Sequence, residues 1–174
     1  MARRLTRHDV DDKLLGRCSK EMVEEDVDEE EDEEGQEAQP GLVAEAQRIA
    51  GELLWVSTRT RPEISFAVGR MCSVVTKRPQ QAAALGMKVK GYLLRNPSDS
   101  LKYVTNDDKD EVTVAWSDSS LAPGGGRSHE GLAVSVFGQM VAWRSTRQAL
   151  VSMSVAEAEL IAAVGATQMA AGLD

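Results

Sequence analysis

Apolar residues recur at helical spacing from Leu42 to about Arg59, through Leu42, Ala46, Ile49, Leu53 and Val56. Arg61-Pro62 interrupts that pattern, because the residue before proline avoids helical backbone and proline suits the first turn of a new helix. A second helix is predicted from Pro62 to about Thr76, with Ile64, Val68, Met71 and Val75 on one face, and Pro79 ends it. A third is predicted from Gln80 to about Arg95, carrying Leu85, Val89, Tyr92 and Leu93, and Asn96-Pro97 closes it. The period then shortens. Leu101–Val104 reads as a short strand, and Glu111–Ser117 (EVTVAWS) is rich in β-branched and aromatic residues. Gly131–Phe137 and Met140–Arg144 follow as two more strands, with Gly138-Gln139 between them at hairpin-loop length. A short apolar piece, Ala149–Met153, leads into a last helix from Val155 to about Ala171, apolar nearly all round and so expected to be buried on more than one side. The fold class implied is α+β: a helical unit at 41–100, then a β-β-β-α unit at 101–174.

Charge divides the chain further. The net charge of −8 over 174 residues argues at first against a nucleic-acid partner. It is unevenly spread. Residues 1–20 carry six Lys/Arg and three Asp/Glu, whereas residues 21–37 carry twelve acids and no base. The remaining 137 residues hold fourteen bases and thirteen acids, so the body is close to neutral. The run at 21–37 repels itself and buries nothing, so residues 1–40 are expected to be disordered. An acidic arm that binds a basic partner is the alternative. Cys18 and Cys72 make no disulfide framework, and no CxxC or His cluster suggests zinc. No apolar run is long enough to span a membrane and no secretory signal is evident, so an intracellular protein of cytoplasm or nucleus is expected.

Two acids of the second half are candidates for chemistry. Asp118 follows the predicted strand EVTVAWS, where a strand end presents a carboxylate at a sheet edge; Asp-Ser-Ser there also suits a plain turn. Ser154 and Glu157 have the spacing of a capping box, which gives Glu157 a structural role. Glu159 lies about 200° further round the helix, among Leu160, Ile161, Ala162 and Ala163. A carboxylate there needs a cation or a basic partner, and Arg144 or Arg147 could serve. A strand-borne Asp facing a helix-borne Glu is an arrangement that holds divalent magnesium, whose hard-oxygen preference it meets. The glycines at 124–126 make no phosphate loop, having no Lys-Ser/Thr pair and opening no helix. His129 reads as an exposed loop residue. Arg59 and Arg61, with Lys88 and Lys90, could line a face that contacts a nucleic-acid backbone.

Several longer strings resemble one family in order. GELLWVSTRTRPEISFAVGRM, Gly51 to Met71, is similar to the region after the polymerase core in copia-type retrotransposon reverse transcriptases. KVKGYLLR, Lys88 to Arg95, resembles the helix joining that region to a ribonuclease H domain. AWSDSS through SMSVAEAEL resembles the first half of the ribonuclease H itself. The resemblance runs from Ile49 to Ala171. It implies a reverse-transcriptase tail at 41–100 and a partial ribonuclease H-like domain at 101–174, cleaving the RNA strand of RNA–DNA hybrids with Mg2+ or Mn2+. Asp118 and Glu159 would be catalytic metal ligands, Arg127 and Ser128 would lie in a loop reaching a phosphate, and the rest of the Pol polyprotein would be a partner. The family pattern needs a further Asp on a fourth strand, and no strand separates Asp174 from the last helix. Little or no cleavage is therefore expected of the 174-residue chain alone, and the alternative is an inactive remnant that binds nucleic acid or protein weakly. An uncovered sheet edge and helix face also lead us to expect partial disorder or self-association.

Overall fold

The computed structural model describes residues 40–103, 112–122 and 126–173. The acidic run at 21–37 lies outside them, as does all of the segment 1–40 expected to be disordered except Pro40, which opens a helix. The chain divides into two compact units on either side of the Ser100–Leu101 bond, and together they are mixed helix and sheet.

The first unit is helical. Helix α1 runs Pro40–Arg59, a 3-10 turn covers Pro62–Ile64, α2 runs Ser65–Val74 and α3 runs Pro79–Arg95. Pro40, Pro62 and Pro79 each open an element, as suits a residue with no N–H to leave unpaired in a first turn. The stripe Ala46, Ile49, Ala50 and Leu53 of α1 is buried against Ile64, Val68 and Met71 and against Ala82, Leu85, Val89 and Leu93 of α3. Leu42 falls outside this core and is exposed. The side chains of Ile49 and Met71 press onto Gly86 of α3, where an added Cβ would stand 2.5 Å from Ile49 Cγ2 and 2.9 Å from Met71 Cε. Cys72 is a free, half-buried thiol, and burial raises its pKa above the ordinary value.

The second unit holds β1 (Thr113–Ser120), β2 (His129–Val136), β3 (Gln139–Arg147) and α4 (Val155–Ala171). The three strands form an antiparallel sheet in the order β1-β2-β3. Each strand runs beyond its predicted length. Asp118, expected just after β1, pairs with Gly131 inside it, and His129, expected in a loop, opens β2. The hairpin turn is Phe137-Gly138, both at positive φ, with a ladder irregularity at Val134/Ser135. Leu101–Tyr103 forms no strand; instead the Tyr103 hydroxyl donates to Met140 O at 2.8 Å.

Helix α4 covers one face of the sheet. Ala158, Ala162 and Ala166 lie four apart and are buried; Ala162 and Ala166 pack on Leu132, with Met169 beside them. Small residues suit this close approach: a Cβ at Gly165 would stand 3.1 Å from Leu132 Cδ1. The expectation that α4 is buried on more than one side is corrected, because Leu160 is 65% and Val164 49% exposed on the face turned from the sheet. Among the described residues no helix is long and apolar enough to cross a membrane.

Candidate functional site

Strand β1 is an edge strand of the described sheet, and Asp118 and Ser119 lie near its C-terminal end. The pleat puts Ser117 and Ser119 on the side of Leu132 and Glu130, beneath α4, and Asp118 on the opposite side with Trp116. Glu159 comes from the start of α4, whose N-terminal end is closed by a cap. The Ser154 hydroxyl accepts from Glu157 N at 3.2 Å, and Glu157 Oε2 accepts from Met153 N at 2.7 Å. Glu157 is thus committed to closing the helix end, its reciprocal bond going to Met153 rather than to the cap residue itself.

Glu159 is turned to the sheet instead. Its Oε1 accepts from the backbone N–H of Ser119 at 3.2 Å, and Asp118 Oδ1 accepts from the same N–H at 3.0 Å. The two acids therefore do not face each other across the sheet as expected. They come from its two sides and meet at the strand edge around one amide. Asp118 is exposed and Glu159 half-buried. Neither carboxylate pairs with a Lys or Arg among the described residues: Arg144, a candidate partner for Glu159, binds Glu130 at 2.9 Å. That pair is a structural one, since Glu130 is 5% exposed and lies under Gly165 of α4.

Two carboxylates around one donor leave acceptor lone pairs and like charge in surplus at an accessible edge. Hard oxygen donors of that kind fit a divalent cation such as Mg2+, which takes one or two protein carboxylates and fills its other positions with water or phosphate oxygen. Among the described residues no group of three or more His, Cys, Asp and Glu is placed to share a metal ion. The donor set is thus a pair.

The other predicted residues divide by burial. Arg127 is exposed, close in sequence to β2. Ser128 is 0% exposed and its hydroxyl has no partner among the described residues, so it cannot touch a phosphate in this conformation. A ring nitrogen of His129 lies 3.0 Å from Ser145 Oγ across the sheet. In the helical unit Arg59 is exposed but Arg61 is buried. Arg61 forms an ion pair with Glu63, donates to Asn96 O at 3.0 Å and stacks over Tyr92 at 5.8 Å. Lys90, 4% exposed, binds Glu52 at 2.9 Å. The expectation that Arg59, Arg61, Lys88 and Lys90 share one basic face is corrected: Arg61 and Lys90 are buried, ion-paired ties between helices. Sequence reasoning missed the Ser119 amide as the meeting point, and no local signal marks it.

Comparison of the chain with protein-family models, with curated proteins and with solved structures finds no match.

Proposed function

We propose that the chain derives from a copia-type retrotransposon polyprotein, joining a reverse-transcriptase tail to a ribonuclease H-like unit. Its activity by that descent is divalent-metal-dependent hydrolysis of the RNA strand of RNA–DNA hybrids. The meeting of Asp118 and Glu159 at the Ser119 amide carries the reading, because it brings together the two acids that the sequence resemblance singles out. The β-β-β-α order supports it.

Asp118 and Glu159 would hold Mg2+, with Mn2+ as a substitute, and the bound ion supplies the Lewis acidity that activates water and stabilises a leaving oxygen. The chain's own residues do the positioning. Ser119 N–H orients both carboxylates at the edge of β1 in the described sheet. With only two protein carboxylates, tight cation binding requires phosphate oxygens from the substrate as well. Selection of the hybrid would rest on duplex shape and the 2′-hydroxyl rather than on base identity.

A second reading rests on there being, among the described residues, no group of three or more metal-ligating side chains: a catalytically inactive remnant that binds nucleic acid or a protein weakly. Incubation of a labelled hybrid with Mg2+ separates the two. The hydrolase reading expects cleavage by the chain and none by Asp118→Asn or Glu159→Gln. Hybrid binding without cleavage favours the remnant, and equal cleavage by all three proteins defeats the catalytic assignment.

A further inference from the structure

Gln148, on the loop between β3 and α4, is 1% exposed and is bonded through its backbone N–H and both ends of its side-chain amide. Its backbone N–H donates to Ser128 O at 2.7 Å, its Nε2 donates to Ala158 O at 2.8 Å, and its Oε1 accepts from Ser152 Oγ at 2.8 Å. One residue thereby ties the segment entering β2, the β3–α4 loop and the first turns of α4. Ala158 is 0% exposed, so no water replaces that donor if it is lost. The Ser154 cap closes the helix end locally but does not bind it to the sheet. Gln148 does, through Ser128, which precedes the first residue of β2.

We infer that Gln148 is the positioning residue for Glu159: by fixing Ala158, it sets α4 at the height where the neighbouring carboxylate reaches Ser119 N–H. The inference rests on the reading of Asp118 and Glu159 as one site. The tolerance is small. A helix displacement of about half an ångström would take the 3.2 Å contact past the ~3.6 Å at which it ceases to be a hydrogen bond. The amide is also chemically specific. A glutamate at 148 supplies two acceptors and no donor for Ala158, and a methionine supplies neither.

The test takes as its response the downfield displacement of the Ser119 amide proton in the isotope-labelled full chain, read at one fixed pH. Glu159→Gln defines the part of the response that belongs to Glu159. Gln148→Met is expected to lose that same part while the Ala133 and Val134 strand resonances keep their positions. Retention of the full wild-type response in Gln148→Met overturns the inference. Should that variant not fold, Ser152→Ala, which frees one side of the Gln148 amide, is expected to lose part of the response, and an unchanged response there overturns it equally. If Glu159→Gln itself leaves Ser119 unaltered, the underlying site reading fails, a result distinct from failure at Gln148 alone.

Discussion

The two units are held together differently. The helical unit closes twelve buried apolar residues into one cluster, from Ala46 to Leu93; of its buried charges, Lys90 pairs with Glu52 across helices, and Arg61 pairs locally with Glu63 while bonding Asn96 O. The strand–helix unit has an apolar cluster of only Leu132, Ala162 and Ala166, with Met169 against it. Strand pairing, the ion pair of buried Glu130 with half-exposed Arg144 and the Gln148 bonds do much of the holding there. It also leaves Trp116 on the open sheet face and Leu160 and Val164 on the outer face of α4 exposed. The well-packed unit exposes Leu54 and Trp55 on α1, whereas the thinly packed unit carries the acidic pair at the edge of its sheet. The proposed site lies in the unit whose packing is less complete.

The contrast can be broken most directly by truncating one core residue in each unit. Leu85→Ala empties a fully buried site among three helices and is expected to cost about 3–5 kcal/mol, whereas Leu132→Ala should fall nearer ~2 kcal/mol because fewer neighbours surround it. Residue-resolved urea titration reads both; equal losses would abolish the distinction. Gly86→Ala should also destabilise the helical unit, by about 1 kcal/mol net. Overpacking against Ile49 and Met71 costs roughly 1–3 kcal/mol, against about 1 kcal/mol gained in helix propensity. A higher urea midpoint for this variant would show that the helices have room to separate. Ser154→Ala removes the cap of α4 and should cost ~1 kcal/mol in the second unit alone. Leu160→Glu changes stability least, within about 0.5 kcal/mol. It should lower the tendency of the chain to self-associate in sedimentation velocity, because a 65%-exposed leucine on an apolar helix face favours association.

What could be seen in the sequence was what local chemistry decides. The helical stripes through Ile49, Val68, Met71 and Leu85 end at prolines and asparagine, and the Ser154–Glu157 spacing announces its own cap. What escaped depends on residues distant in the chain. Arg61 looks like a surface base until Tyr92 and Asn96 enclose it from 31 and 35 positions away. Asp-Ser-Ser reads as a turn, but pairing with Gly131, Glu130 and His129 extends the strand through it. Glu159 was found because a carboxylate on an apolar helix needs a reason, yet its partner is a backbone amide, which no side-chain pattern announces. Gln148 gave no signal, lying among ordinary loop residues.

The shared role of Asp118 and Glu159 is tested most directly by titrating the labelled chain with Mn2+ and following paramagnetic broadening at the Ser119 amide. The expected result is early, selective loss of the Ser119 signal in the wild type, reversed by excess Mg2+, and no selective loss in Asp118→Asn or Glu159→Gln. Broadening at Ser119 that is the same in all three proteins, or absent from all three, would contradict a joint metal site at this edge.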